Sequence, residues 1–87
     1  HSNYPNPFNP ITRIDYDISQ ESFVTLTIYD ILGREVITLI NQQLIPGYYS
    51  LNWNGQDMFG ISVSAGVYFY QIQAREFVKT RKMILLK

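Results

Sequence analysis

Val24-Thr25-Leu26-Thr27-Ile28-Tyr29, followed by Asp30-Ile31-Leu32-Gly33, decides the class of this fold. Val24, Leu26 and Ile28 alternate with Thr25, Thr27 and Tyr29, the period of two that buries one face of a β-strand. Asp30 to Gly33 then reverses the chain, with Gly33 suited to positive φ. Upstream, Ile14, Tyr16 and Ile18 interleave with Arg13, Asp15 and Asp17 in the same period, and residues 19–22 turn between the two strands. Downstream, residues 34–40 read as a third strand starting near Glu35, with a less clean pattern. Residues 41–47 read as a loop closed by Pro46-Gly47. Tyr49, Leu51 and Trp53 then share one strand face, with Tyr48, Ser50 and Asn52 on the other. Residues 54–60, carrying Gly55, Asp57 and Gly60, form a tight connection, and residues 61–63 a short edge strand. From Gly66 or Val67 to Ala74 a strong strand places Tyr68, Tyr70 and Ile72 together, with Val67 and Phe69 opposite. A turn near Arg75-Glu76 leads into the last strand, residues 77–86. No segment carries a helical period. Six or seven short strands separated by turn signals predict an all-β, antiparallel sandwich, with Trp53 between the sheets and Tyr16, Tyr49, Tyr68 and Tyr70 around it.

Composition narrows the functional classes. An 87-residue chain is one domain with a small core. Seven basic and seven acidic side chains cancel, which removes the global field that draws a protein to nucleic acid or anionic lipid. The local exception is the end of the chain, where Lys79, Arg81, Lys82 and Lys87 follow the last acidic residue, Glu76. An edge strand protected by cations explains this physically, and a docking patch uses the same residues. No cysteine is present, so packing alone holds the fold and thiol chemistry is excluded. No run approaches the roughly 20 apolar residues of a membrane-spanning helix.

Catalysis finds no support. His1 is the one histidine and lies at a terminus, so a nucleophile–base arrangement has no base. Asp15 and Asp17 share a strand face beside Arg13, a pattern of solvated surface more than of acid–base chemistry. Residues 54–60 are rich in oxygen ligands, but lack the carboxylate run and terminal bidentate Glu of a calcium loop. Asp57 is expected to cap its own turn, with a structural cation there as the alternative. No metal or cofactor site is expected. Tyr48, Tyr29 and Phe69 alternate away from the main buried face, which raises a sugar-stacking platform as a possibility of the pattern.

The first ten residues differ from the rest. Asn3-Tyr4-Pro5-Asn6-Pro7-Phe8-Asn9-Pro10 sets three prolines within six residues, fixing φ and removing backbone donors. It reads as a stiff strap that Tyr4 and Phe8 pin to a body, giving residues 1–10 as strap and 11–87 as sandwich. This strap, Ile28-Tyr29-Asp30-Ile31-Leu32-Gly33-Arg34-Glu35-Val36, Gly47-Tyr48, Trp53-Asn54-Gly55-Gln56-Asp57 with Gly60, Ser64-Ala65-Gly66-Val67-Tyr68-Phe69-Tyr70, and the tail Lys82-Met83-Ile84-Leu85-Leu86-Lys87 occur in the order of a known family. Together they resemble the C-terminal sorting domain of type IX secretion cargo (type A, Por secretion), which ends many secreted and surface proteins of the Bacteroidetes. The chain departs from that pattern at Arg75, where the family usually has glycine.

The resemblance implies an immunoglobulin-like fold related to the FlgD-like domain, without enzymatic activity. It implies a sorting signal that directs cargo through the periplasm and across the outer membrane. The implied partners are the outer-membrane translocon and a sortase-like cysteine protease, which in several such systems removes the domain and attaches the cargo to a surface anchor. Cleavage is expected around Ser2 to Tyr4 or upstream, in a parent chain bearing an export signal before the strap. The recognition tail is expected to comprise Lys79, Arg81, Lys82, Met83, Ile84, Leu85, Leu86 and Lys87. Tyr4, Pro5, Pro7, Phe8, Pro10, Gly33, Trp53, Gly55, Asp57, Gly60, Gly66, Tyr68 and Tyr70 are expected to carry the framework. A spacer or adhesion module, like the immunoglobulin-like insert of flagellar hook-capping proteins, and a carbohydrate-binding accessory module are the alternatives.

Overall fold

Alternation produces six strands: β1 (Thr12–Ile18), β2 (Ser22–Asp30), β3 (Glu35–Leu44), β4 (Gly47–Trp53), β5 (Gly66–Ala74) and β6 (Phe77–Leu85). The computed structural model describes residues 12–75 and 77–86, so the proline-rich strap and Lys87 lie outside the described residues. All pairings are antiparallel. A four-stranded sheet of order β3-β2-β5-β6 packs against a two-stranded sheet of β1 and β4. This is the antiparallel sandwich that the pattern predicts, with the immunoglobulin-like architecture that the resemblance implies.

Two elements differ from the sequence reading. The expected short strand at residues 61–63 is reduced to one isolated bridge, Gln56 with Ser62, so six strands form rather than seven. Its backbone is instead tied down by turn bonds, including Val63 N–H to the Gly55 carbonyl at 2.9 Å. The third strand runs on to Leu44 through residues expected to loop, because Gln42, Gln43 and Leu44 pair with Val24, Phe23 and Ser22. Register shifts between Leu26 and Thr27 and between Ile28 and Tyr29 explain the imperfect alternation of β3. A bulge changes which face the following side chains meet.

The core is a single cluster that draws on every strand, with Trp53 at its centre. Trp53 is 0% exposed. Its ring meets Tyr68 edge-on at 5.2 Å, and its indole N–H donates to the Gln56 carbonyl at 2.9 Å. Tyr16 and Tyr49 stack across β1 and β4 at 5.4 Å. Two tyrosines near strand starts pin the chain behind them: Tyr68 Oη donates to the Ser64 carbonyl and Tyr49 Oη to the Ile45 carbonyl, both at 2.6 Å. Tyr70 packs at the margin of the core.

Arg75, where the resembled family has glycine, is the only described non-glycine residue with positive φ, at 57°. That conformation costs an L-residue about 1–2 kcal/mol. The Arg75 guanidinium partly offsets it by donating to the Glu21 carbonyl at 3.1 Å, bracing the β5–β6 turn against the β1–β2 turn.

Two predictions concern this framework. Trp53→Ala removes the centre of the core and should lower stability by about 3–5 kcal/mol, a large part of what a small domain has, as read by urea unfolding. Arg75→Gly should raise stability by about 0.5 kcal/mol through relief of the left-handed backbone, while β-branched Arg75→Val should lower it by about 1 kcal/mol or more in the same measurement.

Candidate recognition surface

β6 pairs only with β5 among the described residues, which makes it an edge strand of the described sheet. Strand alternation divides the tail by direction. Opposite Tyr70 and Tyr68 on β5, Arg81 and Met83 share the core side with Leu85. Leu85 is 2% exposed and Met83 packs against the core, so these two tail residues hold the sandwich together. Lys82, Ile84 and Leu86 point the other way and are exposed, with Ile84 opposite Val67 and Lys82 opposite Phe69.

Lys79 and Arg81 are a separate case. They occupy core-side positions opposite Ile72 and Tyr70 yet stand exposed. A groove of about 330 Å³ opens there, walled by Asp15 to Asp17 on one side and by Phe77, Lys79 and Arg81 on the other. Inward-facing cations on an edge strand deter indiscriminate strand pairing. Among the described residues, no carboxylate lies within ion-pair distance of Lys79, Arg81 or Lys82, the ion pairs being Arg13–Asp15 and Arg34–Asp30.

Asp15 and Asp17 lie exposed on β1, as the pattern of solvated surface requires. The Arg13 side chain, bonded to Asp15 at 2.9 Å, holds its carboxyl below the usual range, with Ser50 adding to the effect. The aromatic platform does not assemble. Tyr48, 93% exposed, stands on the outer face of the small sheet, whereas Tyr29 and Phe69 pair on the outer face of the large one. The sheets are back to back, so one sugar ring cannot span the three.

The framework glycines and Asp57 build turns at the end of the sandwich where β6 finishes. Asp57 caps its own turn: Oδ1 accepts the Phe59 N–H at 2.9 Å and the Ile61 N–H at 3.0 Å. Asp30 does the same for Leu32 and Arg34, each at 2.9 Å. Each turn closes through backbone bonds from Gly33 to Asp30 and from Gly60 to Asp57, and each glycine has φ near 80°, at 82° and 78°. The left-handed conformation at the fourth position is why glycine stands there twice. Gly55, also at positive φ, and Gly66, opposite Leu85, flank the same end. The sequence reading found the Asp57 cap but not its duplicate at Asp30. The shared spacing Asp-x-x-Gly was the available signal.

The Asp30 carboxyl is held below the ordinary carboxylate range, chiefly by the Arg34 backbone N–H, with the Arg34 guanidinium and Leu32 N–H in support. A folded-state value below the unfolded one contributes stability that is complete above the unfolded value of about 4 and lost as pH falls through the lower folded value. Acid unfolding followed by tyrosine and tryptophan fluorescence should therefore show stability falling below about pH 4, with a flatter profile for Asp30→Asn. An unchanged profile would assign the acid sensitivity elsewhere.

A family model described as a secretion system C-terminal sorting domain matches residues 2–86. Among solved structures, FlgD from P. aeruginosa superposes with a TM-score of 0.67 at 24% identity, over 86% of this chain and 59% of that one. FlgD from Xanthomonas campestris, whose structure concerns hook capping in flagellar assembly, gives 0.67 at 22% identity, over 88% of this chain and 56% of that one. The chain thus spans little more than half the length of these structures, and the likeness concerns the fold. No curated protein matches.

Proposed function

The chain belongs to the secretion system C-terminal sorting domain family, and from that premise we propose how the domain is read. It is a sorting signal of type IX secretion, marking cargo that is secreted or displayed at the cell surface. The family match across residues 2–86 carries this reading.

The domain acts as a rigid label without chemistry of its own. After the cargo reaches the periplasm, the outer-membrane translocon takes hold of β6. The free backbone groups of that edge accept a receptor strand, the mode of recognition in which main-chain bonds supply affinity and side chains supply specificity. Lys79, Arg81 and Lys82 select for a receptor edge bearing carboxylates. A sortase-like cysteine protease then removes the domain by cutting at or before the strap, near Ser2 to Tyr4, and the cargo passes to a surface anchor. β1 starts at Thr12, opposite Trp53, at the end of the sandwich where β6 stops. The first described strand therefore starts, and the last one ends, at one pole, which suits a machine that handles both cargo and tail.

The test must separate recognition from folding. Deleting residues 82–87 removes core residue Leu85 and unfolds the label along with the signal. Charge reversal at the exposed positions avoids this. A fluorescent reporter with a Sec signal peptide and this domain should reach the medium or surface of a bacterium with a working type IX system. Lys79→Glu with Arg81→Glu and Lys82→Glu should reduce delivery about tenfold or more while the melting temperature holds. Equal delivery would reject the β6 edge as the recognised element.

A further inference from the structure

Resting on the sorting reading, we infer that the label is three-dimensional: the two Asp-x-x-Gly turns at the tail pole are a second receptor contact, binding an apolar protein surface. Asp at the first position accepts two backbone N–H groups, and Gly at the fourth supplies positive φ. The second and third positions have no such duty, and polar residues ordinarily fill exposed turn tips. Here they hold Ile31 and Leu32 in one turn and Met58 and Phe59 in the other.

These side chains are 68%, 73%, 54% and 78% exposed respectively, so folding does not account for them. The turns are neighbours as well as duplicates. The Met58 N–H donates to the Val36 carbonyl at 3.2 Å, docking the second turn beside the start of β3, just after the first. Ile31 and Leu32 line a groove of about 250 Å³ with Val67, and Val67 faces Ile84 of the tail across the β5–β6 ladder. Apolar surface thus continues from the first turn to the exposed half of the tail. Contiguous exposed apolar surface of this kind marks interaction sites, and turns closed by four bonds each hold it preorganised, which lowers the entropy lost on binding.

Charge identifies the occupant. Asp30 is paired with Arg34 at 2.8 Å and, like Asp57, turns its carboxylate to backbone N–H groups. Glu35, exposed just beyond the first turn, accepts from Thr38 Oγ1 at 3.1 Å, so among the described residues the pole offers its partner the cation Lys82 and no unbonded acid. A second copy would bring Lys82 toward Lys82, whereas a receptor face with apolar side chains and carboxylates complements the pole.

The experiment uses the same secreted reporter. Leu32→Ser with Phe59→Ser alters the turn tips without touching the bonds that close them. Phe23→Ser with Ile45→Ser, on exposed residues at the end away from the tail pole and outside β6, is the control. The inference expects delivery of the turn-tip variant to fall about tenfold or more, with melting temperature unchanged and the control delivered like the parent. Three results would overturn it. One is parent-level delivery of the turn-tip variant. Another is a melting temperature that falls in step with delivery, which would make the tips part of the fold. The third is a concentration-dependent dimer in sedimentation that the variant abolishes, which would make a second copy the occupant. Failure of the unaltered reporter to leave the cell would instead reject the sorting reading and this inference with it.

Discussion

Everything in this domain leans on Trp53. A sandwich without disulfides must keep two sheets in register by packing alone, and here one of the sheets has two strands among the described residues. Trp53 ends β4, fills the space between sheets against Tyr68, and spends its N–H on the Gln56 carbonyl. That last bond ties the core to the segment that carries the Asp57 turn. The interior residue therefore positions the exterior one: a shift of the indole moves the loop, and with it one side of the tail pole.

The last strand answers two demands at once. An edge strand must be held firmly enough to stay folded, yet left open enough to be bound. Period-2 alternation resolves the conflict within a few residues. Met83 and Leu85 enter the core, while Lys82, Ile84 and Leu86 remain outside. Further back, Lys79 and Arg81 stand exposed, so this part of the edge is cationic. Like charges along such an edge disfavour pairing with copies of itself. The likeness to FlgD concerns the sandwich alone, and a shared fold does not carry a shared function.

The positive φ of Arg75 holds an L-residue in the backbone shape that glycine serves best. The hairpin imposes its geometry on the residue, and the bond to Glu21 helps hold it. Tertiary structure here outweighs a local preference of about a kilocalorie, as it does where β3 continues through Gln42 and Gln43 because β2 is there to pair with them.

By itself the sequence determined the all-β class, the faces of β1, β2, β4 and β5, the burial of Trp53 and the cap at Asp57. Each follows from local alternation or from a turn residue acting within five positions, and such forces need no distant partner. Its order of motifs also marked the sorting family. Only the tertiary structure decided the bulges of β3, the loss of a strand at residues 61–63, the separation of Tyr48 from Tyr29 and Phe69, and the edge position of β6. Those depend on which strands become neighbours, and neighbours are set by long-range pairing that local periodicity does not encode. The pairing of the two Asp-x-x-Gly turns belongs to both. Their spacing is written in the chain, but only folding brings their four apolar tips to one end of the molecule.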